Sequence, residues 1–554
     1  MPATADLVIV NAAVRTMDPE RPRADAVAVT GGEIVAVGSD SSIRALARPD
    51  TRIIDAQGAA VLPGFIEGHM HLFSGAAELS HLQLFGVRGL EALSTAVHRY
   101  AAQNPDRPLL LGQGADYAVL GNRPATRHDL DRIVSDRPFA MAAPDHHTMW
   151  ANTLALEAAG ILHGRTLGPG NEIVMGDDGL ALGELRETEA FSPVLALAKE
   201  ERARLGLSTG GEPDPAPSVS DRAADRDVMR RGLDWCARHG ITSIQNMDGN
   251  LYQLELLSEI EAAGDLLCRV RIPFHFKNFM DLPDLDKAEM MARRYRSEWL
   301  ASGMVKLFYD GVLESWTAVM VEPYADRPGW RGDALFSPQR FAEIATEIDR
   351  RGLQIAVHAI GDGAVRAVLD GYEAARDRNG ARDSRHRVEH IEVFHPHDLP
   401  RFRDLGTLAS MQPTHAPGAA GVPLEPTLSR LGRERWPHAF ALRTLADAGA
   451  HLVFASDWPV APIAPLLGIQ AAMQRQPWAD GLKDESLTLD EAIAAYTTGG
   501  AHAEFMEQRK GRLKPGYLAD IVILSRAIDG IAAQALADVD VRMTICGGRI
   551  TYEA

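Results

Sequence analysis

The first sixty or so residues run as short apolar stretches broken by glycine and proline: DLVIVNAAV, DAVAVTGGEIVAVG and TRIIDAQGAAVL. Apolar and polar positions alternate within them, which predicts strands joined by tight turns. The last forty or so residues repeat the pattern in GYLADIVIL and VDVRMTICGGRITYEA. Two β-rich ends around a different middle predict one small sheet domain built from both termini, residues 1–60 plus 512–554.

The middle, residues 61–511, alternates strand-like and helix-like patterns. After VLPGFIEGH come apolar segments at 241–247, 268–274, 304–310, 353–359, 386–392, 407–413 and 451–457. Helical periodicity fills most intervals, as in SPQRFAEIATEIDRRG and WPHAFALRTLADAG. Strands alternating with helices predict a parallel sheet, and eight such units predict a closed (β/α)8 barrel. One interval breaks the rhythm. From about residue 76 to about 220 the chain carries helical runs, β-like runs (PLLLGQG, PFAMAAP) and a polar stretch, STGGEPDPAPSVSD. A connection that long must fold on its own, so an inserted subdomain is expected after the first barrel strand.

Composition narrows the partners. The formal charge is -18, from 57 Lys+Arg against 75 Asp+Glu, which disfavours nucleic acid and anionic membrane surfaces. The three cysteines, Cys236, Cys268 and Cys546, make no CxxC pair, so neither a disulfide framework nor a thiolate zinc site is indicated. The N-terminus has no basic stretch ahead of its first short apolar run, and no apolar run is long enough to span a bilayer. A cytoplasmic protein acting on a small molecule is expected, with a homodimer as the base-rate assembly.

Candidate chemistry lies in PGFIEGHMHLFSG. In a strand, residues i and i+2 face the same side, so His69 and His71 share one space. The C-terminal strand ends of a barrel carry its active site. His358 (VHAIGDG), His390 (RVEHIE) and Asp457 (FASDWPV) end the fifth, sixth and eighth segments, and Lys306 (VKLFYDG) lies inside the fourth. Each alone also fits a structural residue. Together, four histidines and an aspartate form a ligand set suited to Zn²⁺ or a similar divalent ion.

With these motifs, VKLFYDGVLESWTAVMVEPY, SMQPTHA and GRLKPGYLADIVIL, nearly the whole chain resembles the amidohydrolase superfamily. The nearest likeness is its branch of metal-dependent hydrolases typified by N-substituted formamide deformylase. The resemblance implies a distorted (β/α)8 TIM barrel, an α/β fold, with a β-sandwich from both termini. It implies two metal ions per chain: His69, His71 and Asp457 on one, His358 and His390 on the other, and Lys306 carboxylated to N6-carboxylysine between them. The alternative for Lys306 is an ion pair or a substrate-carboxylate anchor. Asp457 would also be the catalytic proton carrier, and metal-activated hydroxide would cleave a C–N amide bond of an N-substituted formamide or other small N-acyl compound.

Two positions depart from the pattern: Glu67 and Asn246 stand where such motifs often have Asp. Further candidates for substrate contact are His147, which matches a family histidine, Glu314, Trp316, His415 and Arg443. Each has an equally good structural reading; for Arg443 that is a pair with an acidic neighbour. Competing activities on the same scaffold are a deaminase or cyclic-amide hydrolase, and a non-catalytic binding protein. A deaminase is disfavoured because VHAIGDG offers no Glu close to His358.

Overall fold

The computed structural model of the chain describes residues 4–121, 123–144, 146–168, 170–198 and 201–554. The chain divides into two compact units. One holds the chain up to Leu72 with Pro217–Trp458 and Pro462–Ala554; the other holds Phe73–Ala216 with Pro459–Ala461.

In the first unit, the predicted apolar segments form parallel strands: β1 (Phe65–Met70), β2 (Ile241–Asn246), β3 (Arg269–Arg271), β4 (Phe274–His275), β5 (Leu300–Ala301), β6 (Met304–Phe308), β7 (Gln354–Ala359), β8 (Arg387–His390), β9 (Leu408–Met411) and β10 (His451–Phe454). They pair in two sheets, of order β5-β3-β2-β1 and β4-β6-β7-β8-β9-β10. The third predicted segment, 268–274, is therefore split between the sheets, while the fourth, 304–310, stays in β6 and the unpredicted β5 before it joins the other sheet. Pro273, with no N–H to donate, interrupts the third between β3 and β4. Gly303 at φ +138° separates β5 from β6. Past the strand ends, Asp457 N donates to His69 O (2.9 Å) and His71 N to Trp458 O (2.8 Å), which ties the end of β1 to the chain leaving β10.

Most strand residues are buried, as expected when both faces of a parallel sheet are covered. The covering helices are amphipathic. Pro338–Arg350, capped by Ser337, buries Phe341, Ile344, Ala345 and Ile348. The helix before β2 starts earlier than its apolar periodicity suggests, at Val219, because Ser218 and Asp221 form a capping box.

Two further sheets in this unit come from the chain ends. Glu33–Gly38, Ala26–Thr30, Ala5–Val10 and Ala47–Asp55 form one; Arg549–Glu553, Val541–Cys546, Ile521–Leu524, Ala60–Pro63, Ala13–Arg15 and Arg23–Ala24 form the other. Ile9, Val14, Val27, Val61, Ile521, Ile523 and Ile545 share one apolar core between them.

The second unit is a six-stranded mixed sheet from Leu82–Gln83 to Ala181–Arg186 and Glu172–Met175. One apolar core contains residues of helices Leu90–Gln103 and Arg127–Ile133, and another contains residues of Thr153–Ala158 and Thr188–Leu195. Among the described residues no helix is long and apolar enough to cross a membrane. Cys236, Cys268 and Cys546 are free and buried.

Candidate metal centre

The C-terminal ends of the parallel strands gather the candidate ligands. Strand register sets the spacing: Phe308 pairs with His358, and Ala359 with His390, across β6, β7 and β8. The ring centroids of His358 and His390 are 4.4 Å apart, those of His69 and His390 4.9 Å, and those of His69 and His71 5.5 Å. Asp457 Oδ1 lies 3.2 Å from His71 Nε2 and 3.4 Å from His69 Nε2. His69, His390 and Asp457 each bring a ligand atom within 4.8 Å of the others, and all three are buried. His71 and His358 stand outside that triplet. His390 and Asp457 have φ of +77° and +60°, conformations that cost a non-glycine residue energy and persist where surrounding contacts fix them.

Behind each imidazole stands an acceptor. His69 Nδ1 is 2.7 Å from Glu389 Oε2, and His71 Nδ1 is 2.8 Å from Asp248 Oδ1. His390 Nδ1 is 2.9 Å from Gln412 Oε1, and His358 Nε2 is 3.0 Å from Gly311 O. Such an acceptor fixes the proton on one ring nitrogen and turns the lone pair of the other to the front. Glu389 is itself braced. Burial opposes its ionisation, but the Arg387 guanidinium, 2.7 Å away, and His69 outweigh burial and hold its carboxyl below the usual range.

The electrostatics are those of a site waiting for cations. Burial and nearby Lys306 push His69 down to about 4. Burial also opposes charge on His71, yet Asp248 and Asp457 outweigh it and lift that imidazole to about 9. Burial and His358 hold His390 well below its usual value. Asp457 Oδ1 is buried, with His71 Nε2 and His69 Nε2 as its polar neighbours. Lys306 is fully buried, its Nζ donates no hydrogen bond, and it lies 4.9 Å from the centre of the Phe308 ring. Burial, partly countered by Glu389 and Asp457, lowers it to about 8. A buried carboxylate oxygen flanked by imidazole nitrogens is costly as it stands; a cation between those atoms would offset that cost and would further favour the neutral amine of Lys306, so these residues fit a divalent metal.

Glu67 supports the cluster from behind: Ser456 N, next to Asp457, donates to its Oε1 at 2.6 Å, and burial raises its carboxyl to about 8. Asn246 has a structural task. Its Oδ1 accepts from Leu72 N at 2.9 Å and its Nδ2 donates to Gln253 Oε1, which fixes the turn after His71. The carboxylate of this loop is Asp248, two residues on.

The softer candidates scatter. The His415 ring lies 6.4 Å from that of His390 and nearly parallel to it. Glu314 accepts from Thr427 Oγ1 at 2.6 Å. Trp316 donates from Nε1 to Asp326, stacks under the Arg430 guanidinium at 3.9 Å, and packs on the apolar cluster of Leu313, Tyr324, Ile360 and Val393. His147 belongs to the second unit, where its Nδ1 is 2.9 Å from Glu187 Oε2; Asp145 beside it lies outside the described residues. Arg443 donates to both oxygens of Glu491, at 2.8 and 2.5 Å, and nothing brings it to the cluster.

Parallel strands over helices, with imidazoles and an aspartate converging at the strand ends, define the class of metal-dependent hydrolases. The chain belongs to the amidohydrolase family, whose pattern it matches over residues 52–552. It is 30% identical over 537 residues to the protein LONG AFTER FAR-RED 3 of Arabidopsis thaliana, covering 94% of this chain and 87% of that one. It is 27% identical to an N-substituted formamide deformylase of Arthrobacter pascens, covering 99% and 98%. Its fold is similar to that of an uncharacterized metal-dependent hydrolase from Pyrococcus furiosus, with TM-score 0.68, 25% identity and coverage of 93% and 98%.

Proposed function

We propose that this hydrolase cleaves a C–N amide bond, in an N-substituted formamide or another small N-acyl compound, with Asp457 as its proton carrier. The observation that carries the proposal is the position of Asp457: a buried carboxylate oxygen 3.2 Å from His71 Nε2 and 3.4 Å from His69 Nε2. The similarity to the formamide deformylase supports the substrate class.

His69, His71 and Asp457 would hold one divalent ion, with zinc the best match to nitrogen and oxygen donors. His358 and His390 would hold a second, with Lys306 bridging as a carbamate. The lowered basicity of Lys306 favours the neutral amine that carboxylation requires. A divalent metal supplies Lewis acidity, acidifying water and polarising a carbonyl.

The chain's own residues do the rest. Asp457 orients the attacking water, takes its proton at a carboxylate oxygen and delivers that proton to the departing nitrogen. Asp248 and Glu389 keep the imidazoles of His71 and His69 in the tautomer that leaves Nε2 basic. The apolar wall around Trp316 and His415 receives the acyl or amine substituent. The two parallel sheets read as one distorted (β/α)8 barrel, residues 61–511, beside a sandwich from 1–60 and 512–554.

The test is a hydrolysis screen of formamides, acyl-amines and acyl-amino acids with metal-replete and chelator-treated protein. Chelator-sensitive release of amine from at least one formamide is expected. Turnover confined to the deamination of amino-heterocycles would replace the proposal.

A further inference from the structure

A cavity of about 290 Å³ is lined by residues at the starts of β6 and β7 and near the ends of β2 and β3. Its walls come from residues at or just before the starts of β6 and β7 (Ser302, Met304, Gln354), from Arg271 and Ile272 at the end of β3, and from Arg382 and Phe505. None of these residues belongs to the metal-centre cluster.

What its polar side chains still have to offer is mostly N–H. Arg382 uses Nε on Asp349 and one terminal nitrogen on Leu353 O. Arg271 meets Glu504 through Nε at 3.3 Å. Each guanidinium has five N–H donors, so both keep donors to spare while their carboxylate partners hold them in place. Gln245 is 1% exposed, and its Nε2 donates no hydrogen bond. The same lining includes apolar side chains, Ile272, Met304 and Phe505, the last half exposed. A lining that combines planar donors with apolar side chains suits a ligand that carries both a carboxylate and a hydrocarbon part.

Gln245 also faces the other way. Its Oε1 accepts from Arg387, which donates to Glu389, which backs His69. One chain of hydrogen bonds thus runs from this cavity to the metal centre.

We propose that this cavity is a binding site for a small organic carboxylate, and that its occupancy is felt at His69 through Gln245, Arg387 and Glu389. The link rests on the reading of His69 as a metal ligand; the binding site does not. Coupling through binding is reciprocal, so it is measurable from the metal side without turnover.

The experiment is calorimetric titration of benzoate into the full-length, chelator-treated protein. About one equivalent should bind, and benzamide, the neutral isostere, should bind at least about tenfold more weakly. Arg271→Gln should weaken benzoate at least about tenfold. Because it also takes a partner from Glu504, Ser302→Phe serves as a second variant: it narrows the cavity, leaves both arginines and should abolish binding. No saturable binding, binding that requires added zinc, or binding unchanged in a folded Ser302→Phe protein would each overturn the site. For the link, saturating benzoate should shift zinc affinity, measured by competition with a chelating dye, at least about threefold in the parent and not in Ser302→Phe. Equal zinc affinity with and without benzoate would overturn the link while leaving the site standing.

Discussion

The two sides of the candidate metal centre are built differently. On the β1 side, His69 and His71 are each backed by a carboxylate, Glu389 and Asp248. On the side of β7 and β8, His358 and His390 are backed by neutral oxygens, Gly311 O and Gln412 Oε1. An ionised acceptor behind an imidazole makes the opposite nitrogen a stronger donor to a cation than a neutral one does. The lesson is asymmetry. On the proposed two-ion reading, the β1 side would hold the tighter position, and the other side would need Lys306, a cation unless carboxylated, to complete a second one.

The largest expected effect falls on Asp457, which faces both halves through His69, His71 and His390. Asp457→Asn is predicted to lower kcat by about 10³-fold or more, at the upper end of general acid–base contributions, with an unchanged circular dichroism spectrum. Near-normal kcat would give the proton transfer to another group.

Next come the backing residues, which test the asymmetry itself. Asp248→Ala is predicted to weaken the tighter metal position by ~10–100-fold. Gln412→Ala should cost the other position clearly less, because a neutral acceptor contributed less basicity. Stepwise dialysis against chelator, followed by elemental analysis, should remove one equivalent of metal before the other; simultaneous loss would break the comparison. Lys306→Ala should lower occupancy of the weaker position, and small carboxylic acids should partly restore it if the lysine is carboxylated. Metal content unchanged by that substitution would favour an ion-pair or substrate-anchor role.

How far the sequence carried the reading follows from where each interaction lies. The strand-end histidines were legible because a period of two and an apolar run locate a side chain and its facing direction locally. Their partners were not. Glu389 is adjacent to His390 in RVEHIE, yet it backs His69, 320 residues away in the chain. Asp248 sits two residues past Asn246, and only the fold shows that Asp248 serves His71 while Asn246 pins a turn. The splitting of the third segment had a visible cause in Pro273, but which sheet each fragment joins is set by tertiary pairing. Arg443 had two readings with no local means of choosing: a surface ion pair and a substrate anchor present the same residue type in the same helical setting.

Arg443 supplies the smallest effect and a baseline for the others, since it lies in neither half. Its partner Glu491 has its carboxyl lowered to about 2, chiefly by hydrogen bonding to Arg443. A depressed carboxylate contributes stability above its unfolded value of about 4.5 and loses that contribution as pH falls toward 2. Glu491 is 43% exposed, so solvent screening keeps the contribution under about 1 kcal/mol. Arg443→Ala should therefore show a small loss in urea midpoint at pH 7 that shrinks by about pH 3, with kcat and metal content unchanged. A fall in kcat/KM restricted to carboxylate-bearing substrates would instead return Arg443 to the substrate. A stability loss that persists undiminished below about pH 2 would mean that the side chain acts by packing rather than by charge.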